Sequence, residues 1–298
     1  MRKILLLLFL LTMLHNASAQ VVYKPSDKAY VEKLLKASAS WRTKPMSETV
    51  IHFARLLKGI PYVGGTLDKG KEEQLVVNLR ELDCTTYVET VMALTACTRR
   101  GETSFDDYCR RLREIRYADG RVEYTARKHY FTYWMEQNER QGIVSCTEPS
   151  PSDIKSGKHP FTAWQDFAKT PVNYMSTHVS SYKMLSAHPE WLPGIKRMEK
   201  TMAGKRYRYI PKAALGKSGI SLLHRYVKDG DIIAIITSKK GLDTSHIGIA
   251  VWHADGLHML NASQIHKKVV EEPMTLYTYM QKHPSQLGIR LCRMNGKR

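Results

Sequence analysis

The sequence predicts an α+β fold on three observations. Residues 26–58 carry apolar side chains at helical spacing. Asp83-Cys84-Thr85-Thr86 has the form of a helix start, with Val88, Val91, Met92 and Thr95 recurring behind it. From Gly230 onward the pattern turns to short β-type runs separated by turn residues. Together they imply a helix carrying Cys84 packed on an antiparallel sheet, with a helical N-terminal part and a large insertion.

The chain opens with a basic pair (Arg2, Lys3), an apolar run over residues 4–14 and a small-residue Ala17-Ser18-Ala19 end. These are the parts of a secretory signal peptide over residues 1–19, cut before Gln20. No cysteine follows the cut, so no lipid anchor is expected. No later run is apolar and long enough to span a bilayer. The expected location is therefore outside the cytoplasm, most simply the periplasm.

Two helices are expected within 26–58. Ser26 or Asp27 would cap the first and Ser47 the second, which ends at Gly59. Residues 75–79 read as a β run after the Gly64-Gly65 turn. Residues 101–225 are the least regular, with helices expected over 106–115 and 130–138. Strands are expected over 231–237 and 246–252, then a hairpin turn at Ala254-Asp255-Gly256 and a return strand over 257–262. Further strands fit 269–270 and 287–293. A chain of 298 residues, 43% hydrophobic, buries a large core. With no repeat, low-complexity stretch or linker, residues 20–298 read as one domain, its core at 45–100 and 226–298 and an insertion at 101–225.

Lys and Arg number 46 against 28 Asp and Glu, a formal charge of +18, which loss of Arg2 and Lys3 lowers by two. That excess favours acidic partners such as a polyanionic wall. No long basic run and no zinc-finger or RNA-binding spacing occurs, so nucleic acid is not an expected partner. HExxH and Cys-x-x-Cys are absent from the sequence, and neither a metal nor a cofactor is expected. Of five cysteines, Cys97, Cys109, Cys146 and Cys292 would form two bridges in any of three pairings if Cys84 stays free. The alternative is that all are reduced and buried.

Cys84 in a first helical turn faces unpaired backbone N–H groups and the positive end of the helix dipole. Both favour a thiolate, so a lowered pKa is expected. The bland alternative is a small buried side chain. His246 stands at the mouth of its strand after the polar loop 238–245. A two-residue turn at Ala254-Asp255 places Asn261 on the face of His246, on a diagonal of about 7–8 Å. A turn one residue different would offer His258 instead. In the chemistry these types perform together, the thiolate attacks a carbonyl and the imidazole moves the proton. The third group holds the imidazole's tautomer, and backbone N–H groups at the helix start stabilise the oxyanion. The cluster Tyr124, Arg127, His129, Tyr130, Phe131, Tyr133 and Trp134 suits sugar rings, as do Trp164 and His178; core packing is the competing reading for Phe131 and Trp134.

The segments GIPYVGG, LDCTTYVET, SHIGIA and LNAS, in that order, resemble the NlpC-like cell-wall cysteine peptidases, a papain-like superfamily. DCTTYVE with KHYFTYW and THVSSY is similar to its N-acetylmuramoyl-L-alanine amidase-like branch. The resemblance implies a papain-like/NlpC-like core with Cys84 as nucleophile, His246 as base and Tyr62 beside the nucleophile. Asn261 stands where the family usually has a second histidine, and Tyr133 where it has an aspartate. The implied reaction is cleavage between the muramic lactyl group and L-alanine of muropeptides, with anhydro-muropeptides favoured, as part of wall recycling. Peptidoglycan fragments are thus the expected partners. The alternatives are a γ-D-glutamyl-diamino acid endopeptidase on the same triad and a non-catalytic wall-binding module.

Overall fold

Proline at the first helical position, and Asp27 taking the backbone N–H of Lys24 at 2.9 Å, open helix α1 (Pro25–Ala37). The computed structural model describes residues 21–296; the signal peptide expected over 1–19 lies outside the described residues. The cap of α1 is therefore Lys24, with Asp27 one turn in. Helix α2 (Met46–Leu56) starts after Pro45, two residues earlier than a Ser47 cap suggests. Both helices bury one face, Val31, Leu34 and Leu35 on the first and Val50, Phe53 and Ala54 on the second.

Strands β1 (Val21–Val22) and β2 (Leu75–Val76) form a short parallel pair. The run expected to reach residue 79 stops early because the N–H of Leu79 goes to Asp27 Oδ1 at 3.0 Å instead of to a strand. Helix α3 (Cys84–Arg100) begins as the sequence indicates. Asp83 Oδ1 accepts the N–H of Thr86 at 2.8 Å, and Thr86 Oγ1 accepts the N–H of Asp83 at 2.9 Å. This reciprocal box fixes the first turn. The helix ends at Gly101, whose φ of +74° is the left-handed conformation that glycine adopts without strain. Tyr87, Val88, Val91, Met92 and Leu94 are all fully buried, so α3 is the central core helix. Helix α4 (Phe105–Arg116) packs on it, joined by the buried Arg116–Glu89 ion pair at 2.6 Å. Helix α5 (Phe131–Arg140) follows.

The remaining strands are β3 (Val144–Cys146), β4 (Ala163–Asp166), β5 (Arg206–Pro211), β6 (Ile232–Thr237), β7 (Thr244–His253), β8 (Gly256–Ser263), β9 (Lys268–Glu271) and β10 (Gln286–Met294). They form one antiparallel sheet in the order β4-β5-β10-β6-β7-β8-β9, with β3 also paired to β10. Successive side chains of β6 face opposite ways. Ile232 and Ala234 join the core built on α3, whereas Ile233 and Ile235 join a second core with Leu223, Met259 and Leu276. Covered on both faces, β6 has no exposed residue, which is why its sequence is a continuous apolar run.

Segment 101–225, expected as an insertion within the one domain, supplies β3, β4 and β5 to the shared sheet. It also builds a third apolar cluster around Tyr124, Phe167, Met175, Leu185 and Ile195. No helix among the described residues is long and apolar enough to cross a membrane.

Candidate active site

Cys84, half-buried at the start of α3, is the point where the core helix meets β7. Its thiol lies beside two groups that stabilise the ionised form, the backbone N–H of Ile247, the residue after His246, and Thr85. These donors favour a thiolate, but two larger effects oppose them. Burial comes first and the adjacent Asp83 carboxylate second, and together they push the thiol up to about 12. The lowered pKa expected from the helix start is thereby overturned. The capping carboxylate that builds the turn also places negative charge beside the sulfur.

His246 is paired with Ile235 of β6, and the ladder is irregular at the next step, between Ile235 and Ile236. Such bulges re-aim a side chain at the end of a strand. Across the β7–β8 hairpin, Ile249 faces Leu260 and Val251 faces His258, the register given by a turn at Ala254-Asp255. His246 Nε2 lies 3.0 Å from Asn261 Oδ1. An amide oxygen only accepts, so Nε2 carries the hydrogen and Nδ1 the lone pair. Burial holds His246 below its ordinary pKa, against the opposing pull of the Asn261 bond. His258 points elsewhere: its nitrogens meet the Glu272 carbonyl and Asp255. Asn261 is fully buried and is the side chain that meets His246.

Tyr62 borders the cysteine. Its backbone N–H is fixed by the Lys267 carbonyl at 2.9 Å. Burial, then the nearby Cys84 and Asp83, push its phenol up to about 12.

The aromatic and basic cluster does not behave as one sugar-binding surface. Trp134 is fully enclosed and stacks on Phe131 with ring centroids 4.6 Å apart, so it is a core residue with no face to offer a ligand. Tyr130 is buried, its hydroxyl donating to Glu199 and accepting the N–H of Met175, both at 2.8 Å. Arg127 is buried between Asp68 and Glu73 and lies over the Tyr124 ring. Those bonds already occupy Tyr130 and Arg127 as packing and bracing groups. His129 is half-buried and tied to the Tyr124 carbonyl at 2.8 Å. His178 is exposed and stacks on Tyr174 at 4.0 Å, which leaves it on the surface.

Asp243, read in the sequence only as part of a polar loop, is fully buried three residues before His246. It accepts the N–H of Thr132 at 2.6 Å, and Gln165 donates to its carbonyl at 2.7 Å. The N–H groups of Asn173 and Tyr174 hold Gly241 at 3.0 Å. The 101–225 segment thus grips the loop that delivers His246. A lone Asp in a polar stretch carries no sequence signal for this role.

The fold and this arrangement fall among amidase-like proteins. A family model described as AmiA-like, N-acetylmuramoyl-L-alanine amidase-like, matches residues 52–289, and the chain belongs to that family. Among solved structures it is similar to an N-acetylmuramoyl-L-alanine amidase from Bacteroides uniformis, with 33% identity and a TM-score of 0.73 over 84% of this chain and 99% of that one. It is also similar to a Bacteroides fragilis protein provisionally called a xylanase, with 36% identity and a TM-score of 0.71 over 82% of this chain and 100% of that one. A Legionella pneumophila protein, 23% identical with a TM-score of 0.65, shares the fold. No curated protein matches the chain.

Proposed function

We propose that this chain is a cysteine amidase that hydrolyses the bond between N-acetylmuramic acid and L-alanine in muropeptides, with anhydro-muropeptides preferred, during wall recycling. The single observation that carries the reading is the His246–Asn261 bond, set on the strand whose next residue, Ile247, lies beside Cys84. A nucleophile on a core helix with base and orienter on an antiparallel sheet also supports placement in the papain-like, NlpC-like superfamily. An exported, periplasmic enzyme fits the signal-peptide reading of residues 1–19 and the proposed substrate.

In this mechanism the resting thiol is neutral, and His246 Nδ1 takes its proton as the sulfur attacks the lactyl carbonyl. Backbone N–H groups at the start of α3 receive the developing oxyanion. The imidazolium, held by Asn261, then protonates the leaving amine of L-alanine. Water attacks the thioester with His246 again as base, releasing the muramoyl acid and restoring the thiol. Tyr62 borders the nucleophile. His129 and His178 remain candidate substrate contacts, His178 the more accessible.

Glycoside hydrolysis, the activity in the Bacteroides fragilis protein's provisional name, needs two carboxyl groups facing one bond. Beside Cys84 the carboxylate is Asp83, which is committed to Thr86.

The test is to incubate wild type and Cys84→Ala with a defined anhydro-disaccharide peptide and weigh the products. Free peptide beginning with L-alanine, absent with Cys84→Ala, supports the amidase. A disaccharide-dipeptide would instead establish the stem-peptide endopeptidase. Turnover surviving in Cys84→Ala would remove the cysteine mechanism.

A further inference from the structure

Asn261 meets His246 through Oδ1, and the other end of its amide is left over. Its Nδ2, fully buried, has no hydrogen-bond partner among the described residues. An amide has nearly the same shape either way round, so the 3.0 Å contact with His246 does not by itself choose the oxygen. Turned over, Nδ2 would donate to Nε2 and the ring hydrogen would sit on Nδ1, which could then take no proton from the thiol. Something on the Nδ2 side must decide the orientation.

Glu272 is placed to do so. Asn261 pairs with Val270, and the N–H of Glu272 donates to the Met259 carbonyl at 2.9 Å, so the ladder runs on past β9. Side chains alternate along a strand. Asn261 and Glu272 therefore share one face of the sheet, on a diagonal of about 7–8 Å between backbones. Glu272 is 1% exposed, and its Oε2 has no hydrogen-bond partner among the described residues. His266 Nε2 approaches that oxygen at 3.2 Å, a charge contact off the hydrogen-bond direction. The negative charge also acts on His246 and on Tyr279 of the covering helix Leu276–Gln281. An unpaired buried donor and an unpaired buried carboxylate oxygen thus lie on one face beside the base.

We infer that Glu272 is a positioning residue that orients the Asn261 amide, its buried negative charge drawing Nδ2 toward itself and leaving Oδ1 turned to His246. An amide dipole beside an anion has one favoured sense, since the charge attracts Nδ2 and repels Oδ1. With little water between them, that preference is not screened. His246 is thereby held as the Nε2–H tautomer, with Nδ1 free as the base. The catalytic consequence rests on the proposed amidase activity; the orientation of the amide does not.

The test labels the histidine nitrogens of the chain without its leader and follows the His246 ring at pH 8, where burial keeps it neutral. Its signals are assigned by difference from His246→Gln. Wild type should carry hydrogen on Nε2 and none on Nδ1. Glu272→Gln keeps the shape but not the charge, and should give a mixture of the two tautomers. Equal orientations would halve the competent fraction, so kcat on the anhydro-disaccharide peptide should fall at least about twofold. Glu272→Asp keeps the charge and should hold the wild-type tautomer. So should His266→Ala, which removes only the half-buried outer contact. Near-ultraviolet circular dichroism checks that each variant keeps its native packing. An unchanged ring in Glu272→Gln, or hydrogen on Nδ1 in wild type, overturns the inference. A mixture in Glu272→Asp or His266→Ala does the same, since shape or the outer histidine would then be in control. The expected tautomer shift in a chain that cleaves no muropeptide would sink the amidase reading and leave this one standing.

Discussion

His246 Nε2 and Asn261 Oδ1 lie 3.0 Å apart on neighbouring strands, which commits the imidazole to one tautomer and leaves Nδ1 as its basic atom. Asn261→Ala removes that commitment. Turnover of the disaccharide-peptide should fall by about 100-fold or more, the scale of general-base assistance, with KM little changed. Asn261→Asp keeps the acceptor and should recover much of the loss. Its added negative charge should move the acidic limb of the rate profile to higher pH.

The pH profile follows from two opposed environments. Burial lowers His246 below its usual 6.5, so the base stays neutral through the weakly acidic range, and kcat/KM should fall only below about 6.5. Burial and Asp83 push Cys84 up to about 12. Without substrate, iodoacetamide should therefore modify Cys84 slowly at pH 7 and progressively faster above pH 9. A thiol inflection near pH 6 or 7 would mean a preformed thiolate–imidazolium pair instead.

Asp83→Asn separates the two jobs of the capping residue. Asparagine caps as well as aspartate, so stability should change by less than about 1 kcal/mol. The charge beside the sulfur disappears, and the alkylation profile should shift toward lower pH. An unshifted profile would assign the raised thiol pKa to burial alone.

Gly248 shows how tightly the two strands are pressed together. A Cβ there would meet Met259 Cγ at 2.5 Å and the Leu260 carbonyl at 2.8 Å. Gly248→Ala must push β8 away, and overpacking of this kind typically costs about 1–3 kcal/mol. Thermal unfolding should show that loss. Activity should fall further than stability explains, since Asn261 moves with β8.

Cys146 and Cys292 are direct partners across β3 and β10. Opposed antiparallel residues have Cα atoms about 4.5–5.5 Å apart, inside the disulfide range. Treatment with oxidised glutathione should link these two, their two protons and two electrons passing to the reagent. Peptide mapping that found Cys146 joined to Cys97 or Cys109 would contradict the pairing.

The start of α3 was legible because Asp83, Thr86 and the apolar spacing behind them all state one thing. The hairpin was legible because Ala254-Asp255-Gly256 fixes a two-residue turn, and the turn fixes which residues meet. The thiol pKa was misread because the dipole argument is local, whereas desolvation depends on what the rest of the chain lays over the helix end. Tyr130 and Trp134 look like ligand-binding residues in the text, and only packing shows that Glu199, Met175 and Phe131 already occupy them. Strands β4 and β5 escaped notice although Arg206-Tyr207-Arg208-Tyr209 alternates. Polar–aromatic alternation is a weak strand signal when neither face is plainly apolar.

One edge of β10 is covered by strands drawn from the middle of the chain. Excising that middle to obtain a minimal catalytic unit would strip the strand bare and leave unmatched amide and carbonyl groups along it. The shortened protein would then pair edge to edge with its own copies and precipitate.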